Sequence, residues 1–340
     1  SGLIRRAREH LKVVEQAVNL SLQKDSDALV VLGDIFDSSR PRPQLITAVQ
    51  QLFNKSPVIV LGGNHDLETH SLGDNAIAPL EPICTVVEEP QAIAVGDIEL
   101  LCIPFIGYDP AEKFRSFFGP KFPIKSEYKY RVLAFHAGIV DESTPFYLKN
   151  SLSTIKWEDL YKLAEDFGIC AAFAGDFHDR KLYRREGFYA LQVGTLCPAG
   201  WDNPGLNYGT FAELQIVDST PKINWAEIPG PRFLEAKSVQ EIEKAISAKA
   251  DGHTVYLRIR FPANEVKGLM EQIKQAGIDY CEILPEGDAG KQAAKAAARA
   301  VCGGGTLDAA VDAYVSEMPL AKGVERAAVM QATKQYLRRR

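Results

Sequence analysis

A chain of 340 residues, 46% hydrophobic and 24% charged, has the material for a sizeable core and two domains of ordinary size, which excludes wholesale disorder. Its net charge of −5 speaks against gripping nucleic acid by bulk electrostatics, unless bound divalent cations or local Arg and Lys clusters supply a basic face. No apolar run is long enough to span a membrane and no charged-then-apolar leader is present. Together with six cysteines scattered without a C-x-x-C pair, this gives the expectation of a cytoplasmic chain, off the membrane, with reduced thiols.

In chain order, Leu3, Ala7, Leu11, Val14, Val18 and Leu22 recur every three or four residues and predict an amphipathic helix over 3–22. The apolar run Ala28 to Leu32 lacks polar alternation, as a strand covered on both faces does, and leads into Gly33-Asp34-Ile35-Phe36-Asp37. A helix over Gln44 to Phe53 and a strand over Val58 to Leu61 complete a β-α-β unit that ends in Gly63-Asn64-His65-Asp66. A proline-broken middle follows, with strands near Thr85 to Val87 and Ile98 to Ile103. Val132 to Phe135 then leads into His136-Ala137-Gly138, and Ala171 to Ala174 into Gly175-Asp176-Phe177-His178.

Beyond this point Gly187 to Leu191, Phe211 to Val217 and Lys222 to Ile228 alternate like antiparallel strands finishing a second sheet, with the Gly-, Pro- and Asn-rich stretch Gly194 to Gly209 placed to line the same edge. Turn residues at Pro229-Gly230-Pro231 mark a boundary, and Ser238 to Glu241 has capping-box spacing. A strand over Thr254 to Phe261, a helix over Asn264 to Ala276 and a strand over Tyr280 to Leu284 complete a small α-β-α-β domain. After Glu286 come an alanine-rich stretch, Gly303-Gly304-Gly305, and two helices split by Pro319, the first striped with Leu307, Val311, Tyr314, Val315 and Met318. The predicted domains are 1–230, 231–285 and 286–340.

Four buried strands that each deliver Asp, Asn or His to one sheet edge make a metal site the economical reading, because open α/β sheets bind ligands beyond the carboxyl ends of their strands. A central carboxylate such as Asp34 can bridge two divalent cations about 3.5–4 Å apart, which clamp both oxygens of a phosphate-ester displacement. Asn64, His136 and His178 suit manganese, iron or zinc better than calcium. His65 is expected beside the metals without binding them, acting on the transition state or the leaving oxygen, with Asp66 fixing its tautomer. Asp37 reads as a turn residue, His10, His70 and His253 as boundary histidines, Arg258 and Arg260 as a solvated strand face, and Trp201 and Tyr208 as packing.

The chain resembles the calcineurin-like metallophosphoesterase superfamily at G-D-I-F-D with Asp34, G-N-H-D with Asn64 and His65, H-A-G with His136, and G-D-F-H with His178. Within it the chain is similar to the SbcD type, on Arg8-Glu9-His10, on the Gly194 to Gly209 stretch and on the small domain after residue 232. The resemblance implies a two-sheet α/β sandwich with a small α/β cap and a helical tail. It also implies a hydrolase of DNA phosphodiesters, exonuclease and endonuclease, in repair and recombination. Its cofactors would be two divalent metal ions, manganese first and magnesium, iron or zinc also compatible. Its partners would be DNA, an SbcC-type SMC-like ATPase that the tail docks on, and a second copy in a homodimer. Two departures stand out: the family's first motif, D-x-H, belongs upstream of Ser1, and Asp176 occupies the place of the first His in G-H-x-H, a ligand of the second metal. A phosphodiesterase for nucleotides or small diesters, and a scaffold whose metal site has decayed, are the alternatives.

Overall fold

The structure is a computed structural model that describes residues 5–67, 75–107, 110–145, 153–198, 200–201, 209–217, 220–260, 269–278, 280–283, 311–312, 314–316 and 325–337. Strands β1 (Leu29–Val31), β2 (Val58–Leu61) and β3 (Thr85–Val87) form a parallel sheet in that order. A six-stranded sheet combines β4 (Gln91–Val95), β5 (Ile98–Ile103), β6 (Tyr130–Phe135), β9 (Ala171–Ala174), β10 (Lys181–Arg185) and β11 (Phe188–Gln192). Its order is β10-β11-β9-β6-β5-β4; the four inner strands run parallel, and β10 and β4 close the edges antiparallel.

The two-residue period of the strands decides which side chains meet. Ile59 and Leu61 of β2 turn toward Leu100 and Cys102 of β5, Val132 and Ala134 of β6, and Ala171 of β9, forming the core between the sheets. Val58 and Val60 face the other way, against Val18 of α1 (Arg5–Gln23) and Val49 and Phe53 of α2 (Pro43–Phe53). On the far face of the six-stranded sheet Leu101, Ile103, Leu133 and Phe135 pack with Phe114 of α3 (Pro110–Phe117) and Leu160 of α4 (Trp157–Phe167). The result is helix, sheet, sheet, helix, and each apolar run read from the sequence is covered on both faces as expected.

Helix α1 is buried more broadly than its predicted stripe. Val18 meets the three-stranded sheet, whereas Val13 and Ala17 meet Ile228, Leu196 and Cys197 on a second side. Leu22, predicted in the apolar face, is 45% exposed.

A correction concerns the later strands. Strand β12 (Thr210–Val217) and β13 (Thr220–Glu227) pair antiparallel with each other as a ribbon of their own instead of finishing the second sheet. The alternation of β13, with Lys222, Asn224 and Glu227 exposed between Ile223 and Trp225, marks a half-covered strand but does not say which strand its edge pairs with. β7 (Gly138–Val140) and β8 (Thr154–Lys156) form a further short parallel pair.

The chain divides into two compact units, Ser1–Leu234 with Ala245–Tyr256, and Glu235–Lys244 with Leu257–Arg340. Strands β14 (Pro231–Ala236), β15 (Thr254–Ile259) and β16 (Tyr280–Ile283) pair in that order. In β15 Val255, Leu257 and Ile259 are buried in strict alternation. Helix α5 (Val239–Ala250) starts at half of the expected capping box: the Glu241 N–H reaches Ser238 Oγ (3.4 Å), while the Glu241 carboxylate takes the N–H of Lys237 (2.6 Å), one residue before the cap. Arg260, read as solvated, pairs with Glu235 at 2.9 Å. Helices α6 (Leu269–Gln275) and α7 (Arg326–Leu337) belong to the second unit. Of the apolar tail stripe, Val311 and Val315 are buried and Tyr314 is exposed; Leu307 and Met318, like His70, Tyr208 and the terminal arginines, lie outside the described residues. Cys84, Cys102, Cys170, Cys197 and Cys281 are free, and burial pushes the Cys102 and Cys197 thiols up to about 12, so they are inert packing groups. No helix among the described residues is long and apolar enough to cross a membrane.

Candidate metal centre

The loops leaving β1, β2, β6 and β9 converge at the carboxyl edges of the two sheets. Among the described residues, ligand atoms of Asp34, His136 and Asp176 lie within 4.8 Å of one another. Asn64 joins them, its Oδ1 lying 2.9 Å from His136 Nε2.

His136 is oriented by the backbone. Its Nδ1 lies 2.6 Å from the Leu32 carbonyl, which can only accept, so Nδ1 carries the proton and Nε2 is turned into the cluster, 3.4 Å from Asp34 Oδ2. This is the way metal-binding imidazoles are normally held, with the remote nitrogen donating to a fixed acceptor. Phe105 stands edge-on to the ring.

Both cluster carboxylates sit on backbone in the left-handed region, Asp34 at φ 53° and Asp176 at φ 75°. Such a conformation costs a non-glycine residue about 1–3 kcal/mol, a strain typical of functional sites. Asp34 Oδ1 also accepts the His65 N–H at 2.9 Å, which couples the first two motifs.

Electrostatically the cluster demands positive charge. Burial opposes charging of His136, but the Asp34 carboxylate, with Asp176 behind it, wins and lifts its pKa to about 9. Burial is the largest influence on Asp34 and raises it, but His136 and His65 together bring it below its usual value, and Asp176 is held above the usual carboxylate range by burial and then by Asp34, against the pull of His136. Two carboxylate oxygens, an amide oxygen and an imidazole nitrogen converging on one partly buried point fit a divalent cation of the manganese, iron or zinc kind. Asp34, Asn64, His136 and Asp176 are the residues that would hold it.

Three other expected residues stand outside this cluster. His178 is exposed at the rim and is not part of the cluster. His65 is also at the rim, its side chain 53% exposed, and the carboxylate that faces it is Asp37, 4.0 Å from Nδ1. Asp66, expected to fix the His65 tautomer, has another task. Fully buried, it accepts the N–H groups of Asp34 (3.0 Å), Phe36 (3.1 Å) and Gly63 (2.9 Å), so it fastens the first motif loop to the second. Burial first, and then Asp34, raises its pKa to about 6 against the Gly63 and Phe36 hydrogen bonds.

The part that sequence reasoning passed over is the glycine in each motif. A Cβ on Gly33 (φ 98°) would stand 2.2 Å from His136 Nδ1; on Gly63, 2.1 Å from Asp34 Oδ1; on Gly175, 2.2 Å from the Leu32 carbonyl; on Gly138, 2.4 Å from the Phe177 ring. The signal lay in the sequence, since every motif contains a glycine, directly before the polar residue in three of them and two residues after His136 in the fourth. Gly33→Ala is therefore expected to displace His136 and weaken manganese binding by about 10–100-fold, the usual cost of disturbing a ligand's support. Titration calorimetry with manganese checks it, circular dichroism confirming that the chain remains folded; an affinity within twofold of the wild type would refute the wall role.

The sequence model of the calcineurin-like phosphoesterase family matches residues 5–180. Solved structures similar to this chain include a phosphopantetheinyl hydrolase from Mycobacterium tuberculosis, at 12% identity over 54% of this chain and 79% of that one with TM-score 0.35. A predicted phosphoesterase from Streptococcus pneumoniae is 14% identical over 59% of this chain and 91% of that one, TM-score 0.31. A Vps29 single mutant from Entamoeba histolytica is 17% identical over 59% and 98%, TM-score 0.27. Overlaps of that size carry no argument of their own, so the assignment rests on the sequence match. That match runs over more than half of the chain and takes in every strand end that meets at the cluster, and the chain belongs to the calcineurin-like phosphoesterase family.

Proposed function

We propose that this phosphoesterase is a manganese-dependent DNA nuclease, the SbcD-type subunit of a DNA end-processing complex. The observation that supports the reading is a cluster joining the three stretches that carry the SbcD resemblance. Tyr256 Oη donates to Glu9 of α1 at 2.5 Å, and Tyr256 stacks on Phe233 with ring centroids 4.7 Å apart. Phe233 receives the Arg6 guanidinium at 5.0 Å and the edge of Trp201 at 5.2 Å. The 194–201 stretch begins at the metal edge, where the Thr195 N–H donates to the His178 carbonyl at 3.0 Å. The segment that touches the metal edge at Thr195 thus also supplies Trp201 to this polar and aromatic cluster, an arrangement that suits an extended substrate better than a small ester.

Bound divalent cations would polarise the phosphate and supply hydroxide at neutral pH. The chain's own part is to hold them with Asp34, Asn64, His136 and Asp176, and to present His65 at the rim as the proton donor to the leaving oxygen. In this reading the partners are DNA, an SbcC-type SMC-like ATPase and a second copy of the chain, with exposed Tyr314 the outward member of the tail stripe.

The test is hydrolysis with manganese of linear duplex DNA against bis(p-nitrophenyl) phosphate. Nucleotide release from DNA ends supports the nuclease. Cleavage of the ester alone supports the small-phosphodiester alternative, and no cleavage together with no manganese bound in calorimetry supports a decayed scaffold.

A further inference from the structure

We infer that Arg180, held against the ring of Trp225, is a positioning residue that grips a substrate phosphate flanking the one hydrolysed. The inference rests on the phosphodiester reading above and deepens it, by naming the group that takes the neighbouring phosphate.

Topology puts Arg180 at the active edge. It lies two residues after His178 and immediately before β10, which runs antiparallel to β11 and so begins where β9 and β11 end. Four steps of chain lead from Asp176 to it, so their Cα atoms are at most about 14 Å apart.

The loop that carries it is fixed. Gln192 Nε2 donates to the Asp179 carbonyl at 2.7 Å, and a Cβ on Gly194 would stand 3.0 Å from the Arg180 nitrogen, so the two loops touch backbone to backbone. The side chain is fixed as well, its guanidinium carbon 4.7 Å from the Trp225 ring centre, in cation–π range. Trp225 comes from β13, the ribbon that stands apart from both sheets.

Arg180 nevertheless remains exposed, and among the described residues no carboxylate forms an ion pair with it, unlike Lys181, whose Nζ is 2.8 Å from Asp141. A guanidinium stacked on an aromatic face keeps its N–H fork in the plane and free to bind, and that fork matches two phosphate oxygens. Stacking also removes rotamer freedom before substrate arrives, so less is lost on binding. The ligand class is therefore a phosphate in a chain of phosphates, next to the scissile diester.

The experiment measures, by titration calorimetry, binding of a thymidine dinucleotide with and without a terminal phosphate at either end, to the wild type, Arg180→Ala, Arg180→Lys and Trp225→Leu. The wild type should prefer a phosphorylated dinucleotide. Arg180→Ala should lose about tenfold on that ligand and nothing on the unphosphorylated one, since charge-assisted hydrogen bonds are worth about that much. Arg180→Lys should recover part of the loss, and Trp225→Leu should lose less than Arg180→Ala. With DNA, Arg180→Ala should raise KM at constant kcat and reduce the salt slope of binding by about one, with manganese content unchanged. Equal effects of Arg180→Ala on both dinucleotides, or none on either, would overturn the clamp. A wild type that cleaves no DNA would defeat the nuclease reading alone, because the dinucleotide preference is read without turnover.

Discussion

Replacing Asp34 by alanine is expected to abolish both manganese binding and phosphodiester hydrolysis, whereas replacing His65 lowers kcat by about 10²–10⁴-fold and leaves bound manganese unchanged. The difference follows from where the two side chains sit. Asp34 faces His136 at 3.4 Å and shares the cluster with Asp176, so its loss removes the central charge that the cluster is built on. His65 stands outside that cluster, and among the described residues the carboxylate that faces its imidazole is Asp37, on the solvent side. Coupling also runs one way: Asp34 accepts the His65 backbone N–H, so Asp34→Ala loosens His65 as well, while His65→Ala leaves that hydrogen bond intact. Asp34→Asn is the control for backbone strain, since asparagine tolerates the left-handed conformation and keeps an acceptor. Calorimetry and metal analysis of each variant beside its kinetics decide the matter, and equal loss of manganese in His65→Ala would make His65 a ligand.

The second large effect is on stability. Glu99 and Arg131 are direct neighbours across β5 and β6, both buried, with Nε 2.7 Å from Oε2. Arg131 also donates through Nη1 to the Phe167 carbonyl at 2.9 Å, and its own carbonyl accepts the Cys170 N–H at 2.9 Å, which ties the sheet to the end of α4 and the start of β9. Glu99→Leu or Arg131→Met leaves one buried charge without its partner and should cost about 3–5 kcal/mol, while the double variant costs less than either single change. Urea unfolding reads this as a lowered midpoint at constant slope. Activity well below the transition should be retained, because the pair lies at the amino ends of strands whose carboxyl ends carry the site. A loss under 1 kcal/mol in both single variants would show that water reaches the pair.

The buried strands were legible because little polar interrupts them, Glu99 in Ile98 to Ile103 being the one charge. Val58 to Leu61, Thr85 to Val87, Ile98 to Ile103 and Ala171 to Ala174 have the bounds that the residues alone suggest. Strands β4 and β10 were missed for the opposite reason. Both are sheet edges: β10 is charged at Lys181, Arg184 and Arg185 and leaves no apolar run, and the short run Ala92 to Val95 of β4 is alanine-rich and lies just after Pro90 in the proline-broken middle. Helix α4 was legible and overlooked: Leu160, Tyr161, Leu163 and Ala164 are spaced for one buried face, and Gly168 closes the helix in the left-handed conformation. At the site, residue identity named the polar groups that meet, but not their grouping. That Asp66 is consumed by three backbone N–H groups, that Asp37 rather than Asp66 faces His65, and that His178 stays at the rim depend on loop conformations, the left-handed Asp34 among them, which no side-chain pattern announces.

The glycine walls around the cluster bear on how this site can be altered, by selection or by design. With Gly33, Gly63 and Gly175 each in contact with a ligand or its supporting carbonyl, the pocket has no slack in which a compensating second change could absorb a first. Libraries aimed at a new metal preference are best confined to the donor atoms of Asp34, Asn64, His136 and Asp176, while the frame is kept invariant. The accessible variants are exchanges of ligand inside a rigid mould, and the mould itself is the part that drift cannot reshape one residue at a time.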